Sequence, residues 1–228
     1  MPSRKINSII DFFIFVYQIA THFLLEKLKW VIQAILFGGV IGVFIKFDSL
    51  YRILDIDEII RHLSIATISS FIYIYILQKR MRFWETYFHE LTHIVFSVLT
   101  LNHISGMEVH TRIGGQAISK GVSNWLISLS PYCVSIHTIA LMFFYHLIKN
   151  EYIEHLMVVV SISYAFYLVT IFKQFSLKQP DIYETGVMFS IVAVVQINFI
   201  FLISYLNIIG GDMPVMYREI VEGVISLI

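Results

Sequence analysis

Apolar stretches about as long as a bilayer is thick recur along this chain, and they constrain its fold more than any other feature. A hydrocarbon core of about 30 Å is crossed by about 20 apolar residues in a helix. Residues 30–47, 59–77, 83–101, 152–172 and 185–209 meet or approach that length with few charges. In lipid every backbone amide and carbonyl must find its partner inside the protein, so such stretches read as helices. Residues 122–148 exceed one span and contain Pro131, which predicts a kinked helix or a half-span followed by a full one. Residues 9–25 carry Asp11, Gln18 and His22, and so either span or lie at the interface. The pattern predicts an all-α polytopic membrane protein, a bundle of about six transmembrane helices.

Composition agrees. Of 228 residues 57% are hydrophobic and 14% charged, and the mean hydropathy is +0.76; soluble domains carry roughly 25% charged residues. A formal net charge of zero gives nucleic acid no basic surface to hold. The single cysteine, Cys133, excludes an internal disulfide. Arg4 and Lys5 open like the start of a signal peptide, but no small-residue cleavage site follows, so no cleaved leader is expected. Lys79, Arg80 and Arg82 favour a cytoplasmic start for the helix that follows them, although Arg112, Lys120, Lys173 and Lys178 dilute the bias. Three regions result: N-terminal membrane segments (1–82), a membrane core (83–209) and a short amphipathic tail (210–228). The tail bears Arg218, Glu219 and Glu222 and reads as a surface helix.

One connection is not helical. Residues 103–121, HISGMEVHTRIGGQAISKG, alternate, meet Gly114-Gly115 and alternate again, as a β-hairpin does. Such a hairpin is either a solvent-facing loop or an edge that pairs with an extended peptide.

The chemistry concentrates in His89-Glu90-Leu91-Thr92-His93. Histidines four apart lie one above the other on a helix face, so both imidazoles can reach one zinc ion. Glu90, next to the first, can then reach a water at that ion. The segment starts about six residues into an apolar run, where an ionisable group costs about 2.5–3.5 kcal/mol on insertion scales. Three such groups in five residues point to a metal, against the alternative of a hydrogen-bonded cluster that joins helices. A catalytic zinc usually takes three protein ligands and keeps one position open. Candidates for the third are Asp181, Asp212 and Glu85. Asp181 follows Pro180, a residue suited to a helix start, and reads as ligand or as cap. Asp212 reads equally as a turn residue. Glu85, one turn before His89, either orients an imidazole or sits at the interface. His137, His146 and His155 lack a paired spacing and read as structural.

The segments HELTHIVFSVL, SGMEVHTRIGGQAISK, SNWLISLSPY and KQPDIYETGVMFS together resemble the site-2-protease (M50) family of intramembrane zinc metallopeptidases, above all its small bacterial members, over residues 83–190. The resemblance implies one zinc ion held by His89, His93 and Asp181, with Glu90 as catalytic base. It further implies a β segment that holds an extended substrate, Asn124 as a substrate-binding residue, a membrane-protein substrate and a bacterial inner membrane. Asp181 lacks the leucine-aspartate-glycine context usual in the family. Ser130-Pro131 stands where Gly-Pro is typical, and the nearest asparagine, Asn124, precedes the proline.

Two other functions compete. An inactive relative acting as a partner-binding scaffold has no need of Glu90. A transporter needs a polar route through several spans, for which Gln196 and Asn198 are the main residues available. The simplest topology also poses a conflict. With one crossing each for 122–148 and 152–172, Asp181 enters from the side where the His89–His93 helix ends, about 12 Å beyond His93. Ligation then requires Asp181 to lie below the surface or the Pro131 segment to be re-entrant.

Overall fold

The computed structural model describes residues 9–110, 114–145, 147–210 and 213–226. It opens with α1 (Ile9–Ile45), 37 residues long, or about 55 Å at 1.5 Å per residue. The segments 9–25 and 30–47 are thus one helix. Between them run Glu26, Lys27, Leu28 and Lys29, all good helix formers with no Gly or Pro to break the run. After the short α2 (Phe47–Ile53), Asp55 caps α3 (Ile56–Ile72) by accepting from the Glu58 amide at 3.1 Å.

A second fusion follows. α3 passes through a π-helical segment (Tyr73–Leu77) directly into α4 (Gln78–Leu99). The basic stretch from Lys79 to Arg82 remains helical, so Ile56–Leu99 is one 44-residue run. Among the described residues four helices are long and apolar enough to cross a membrane, or five if the bent pair below counts as one. The protein is an all-α, multi-pass membrane protein. It has fewer separate helices than apolar segments because charged but helix-favouring linkers do not turn the chain.

Antiparallel strands β1 (His103–His110) and β2 (Gly114–Lys120) form the expected hairpin, pairing His103 with Lys120 and His110 with Gly114. Arg112 lies outside the described residues. The stretch around Pro131 is two nine-residue helices, α5 (Trp125–Cys133) and α6 (Ile136–Phe144), bent by 68°. Each is about 14 Å long, half the depth of a bilayer. Asn124 caps α5, accepting from the Leu126 and Ile127 amides, and Ser135 caps α6. A break in lipid must have its carbonyls satisfied. The Tyr132 carbonyl accepts from Asn198 Nδ2 at 2.7 Å and from the Tyr167 hydroxyl at 3.4 Å. Asn198, a candidate for a transport route, therefore ties the break to its neighbours.

α7 (Asn150–Gln174) leads to the six-residue α8 (Pro180–Thr185), and Gly186, at φ +101°, turns the chain into α9 (Val187–Gly210). Pro180 occupies the start of a helix, as its type suits, but of the short α8, which Gly186 separates from α9. Trp125, Leu129, Tyr132, Ile182, Phe189 and Ala193 form a buried cluster that joins α5, α8 and α9. α10 (Met213–Ile225) packs on α1 with Gly42 against Gly223, and Lys46 lies 3.7 Å from both Glu219 and Glu222. A Cβ on Gly42 would come within 2.8 Å of the Ile220 carbonyl, so this crossing depends on the absence of a side chain.

Candidate metal centre

α4 presents His89 and His93 on one face, with ring centroids 4.9 Å apart. The start of α8 brings Asp181 to them: its Oδ2 lies 3.8 Å from His89 Nε2 and 3.5 Å from His93 Nε2. One ligand atom from each residue lies within 4.8 Å of the other two. That is the scale of a tetrahedral zinc site with metal–ligand distances of about 2.0–2.2 Å. The topological conflict thus resolves in favour of contact, because the short, bent α5 and α6 and the turn at Gly186 bring α8 to the middle of α4.

The backs of both rings are occupied. His89 Nδ1 meets Gln174 Oε1 at 2.8 Å, and His93 Nδ1 meets the Ile127 carbonyl at 2.9 Å. Both partners are oxygens, which accept, so each Nδ1 donates, and in a neutral ring Nε2 on the Asp181 side is left able to take a metal. This is how metal-binding histidines are usually oriented. The donor set fits zinc.

Asp181 also accepts from the Tyr132 hydroxyl at 3.4 Å. Glu90, 7% exposed, shares with His89, His93 and Asp181 a cavity of about 370 Å³ whose other walls are β2, the start of α5 and Gln179-Pro180. β2 lies directly on the Glu90 stem: a Cβ on Gly115 would come 2.8 Å from Glu90 Cγ and 2.7 Å from Thr86 Cγ2. A larger cavity of about 570 Å³, beside Tyr73, Trp84 and Phe88, is apolar and lined by no carboxylate.

The remaining candidates lie elsewhere. Glu85 is buried and accepts from the Lys173 ammonium and the Tyr73 hydroxyl, apart from the converging three. Asp212 and His146 lie outside the described residues. The Asn124 side-chain oxygen is engaged in capping α5. His137 bonds with Ser135 and Ser163 at 2.9 Å, a link between α6 and α7. Gln174 and the Ile127 carbonyl are supports that the sequence did not single out. The one available signal for Gln174 was its place seven residues before Asp181.

In this multi-pass helical membrane protein two histidines and an aspartate form a group that could hold a metal ion. The family model described as Peptidase M50B-like matches residues 62–195, more than half of the chain, and the chain belongs to the site-2-protease (M50) family. No curated protein and no solved structure matches it.

Proposed function

We propose that this protein is a zinc-dependent intramembrane endopeptidase that hydrolyses a peptide bond in or near a transmembrane segment of a membrane-protein substrate, in a bacterial inner membrane. The observation that carries this reading is the convergence of His89 Nε2, His93 Nε2 and Asp181 Oδ2 in one cavity with Glu90. When bound by His89, His93 and Asp181, zinc supplies Lewis acidity, polarising a carbonyl and lowering the pKa of water from 15.7 to near 7.

The chain's own residues supply the rest. The Glu90 carboxylate takes a proton from the attacking water and delivers it to the leaving amide nitrogen. Gln174 and the Ile127 carbonyl hold the imidazoles in the required tautomer. A helical substrate hides its carbonyls, so the bond must be presented in extended form. β2, which walls the cavity with Gly115, Gln116, Ala117 and Ser119, supports edge pairing as the route to that form.

The test uses purified protein reconstituted with a single-span membrane substrate. The wild type should carry about one zinc and cleave it, and Glu90→Gln should keep the zinc while cleavage falls about 10²–10⁴-fold. Undiminished cleavage by Glu90→Gln overturns the mechanism, and a folded wild type that takes up no zinc overturns the assignment.

A further inference from the structure

The geometry points to Gln174 as the positioning residue that commits His89 to the tautomer able to bind metal. This inference rests on the zinc reading and deepens it. A neutral imidazole carries one proton on one of two nitrogens. For His89 to present Nε2, the proton must stay on Nδ1, which needs an acceptor there. Gln174 Oε1 is that acceptor at 2.8 Å. In its absence the proton gains by moving to Nε2, where the Asp181 carboxylate lies 3.8 Å away. Both groups would then be spent on each other.

Two features make Gln174 more than an incidental neighbour. His93 draws its acceptor from a backbone carbonyl, that of Ile127, which no side-chain change removes. His89 depends on a side chain. Second, Gln174 is itself held. It is the last residue of α7, and its neighbour Lys173 bonds Glu85, one turn before His89 on α4. The last turn of α7 therefore grips α4 at two successive turns, through Lys173 on Glu85 and Gln174 on His89. The chain then runs on to Asp181, so one segment delivers both a ligand and the residue that orients another.

Two substitutions separate this role from packing. Gln174→Met keeps length and bulk but removes the acceptor, whereas Gln174→Glu keeps the acceptor and adds a charge. Zinc affinity of the purified full chain would be measured by competition with a chromophoric chelator. ¹⁵N chemical shifts of labelled histidine in the zinc-free protein would report the tautomer.

Gln174→Met should weaken zinc about 10–100-fold and move the His89 proton from Nδ1 to Nε2, while Gln174→Glu holds the wild-type affinity and tautomer. A packing role predicts the reverse, with Met harmless and Glu disruptive, and overturns the inference. So does a Met variant with wild-type affinity and tautomer, and that result leaves the zinc reading standing. A folded wild type that binds no zinc removes the zinc reading itself, whichever residue stands at 174.

Discussion

His62 and His93 are both histidines on apolar helices, yet their surroundings differ in one decisive way. His62 on α3 is fully buried with both ring nitrogens engaged: Nδ1 meets Ser161 Oγ at 2.8 Å and Nε2 meets Glu58 at 3.1 Å. It joins α3 to α7 as a closed polar link. His93 on α4 has one nitrogen on the Ile127 carbonyl and the other 3.5 Å from Asp181, which also lies 3.8 Å from His89, at the wall of a cavity. Placement on an apolar helical run does not distinguish the two. What does is that the carboxylate facing His93 is shared with a second imidazole, His89, beside a cavity. A buried histidine paired off with its own two partners contributes to folding; one whose carboxylate is shared with a second imidazole is arranged as ligands around a common point.

That contrast can be broken by exchanging the two histidines in turn. His93→Ala should cost more zinc affinity than the roughly 10–100-fold that a supporting residue costs, measured by metal analysis after dialysis against a weak chelator. Retention of tight zinc would move the centre elsewhere. Asp181→Asn keeps a neutral oxygen in place, so a smaller loss is expected, about 10–100-fold, in the same assay; no change would remove Asp181 from the ligand set. Gly115→Val probes the neighbouring strand. It should leave zinc bound while lowering kcat by up to about 10²-fold, the cost of misplacing a catalytic group by about 1 Å, because β2 and the Glu90 stem cannot both keep their places. His62→Ala should leave zinc affinity unchanged. It should instead lower thermal stability by about 1–3 kcal/mol, the cost of stranding buried polar partners, and a loss of metal there would erase the distinction between the two histidines.

The His89–His93 pair was legible in the sequence because its geometry is local. Residues four apart on a helix share a face whatever the rest of the chain does. The hairpin was legible for the same reason, from alternation and a glycine pair. Helix count was less so. Composition marks where a segment is apolar, but Glu26–Lys29 and Lys79–Arg82 are both charged and helix-favouring. Their charge reads as a loop, and their propensity continues the helix. Residue type alone does not rank those two tendencies.

The position of Asp181 was the least legible. Its ligand and cap readings rest on the same residues, and a count of crossings placed it about a helix-half from His93. Three non-local features close that gap: the 68° bend between α5 and α6, the separate α8, and the left-handed turn at Gly186. Gln174 was silent for the same reason, since a glutamine at a helix end has no pattern until α4 lies against it.

By itself, then, the sequence determined a lipid-embedded helical protein carrying two stacked imidazoles with an adjacent carboxylate, because periodicity and apolar length act over a few residues. Only the tertiary structure decided which acid lies beside them and which side chain meets His89. Those choices depend on contacts between segments more than 80 positions apart, whose distance is set by bends and packing and not by local spacing.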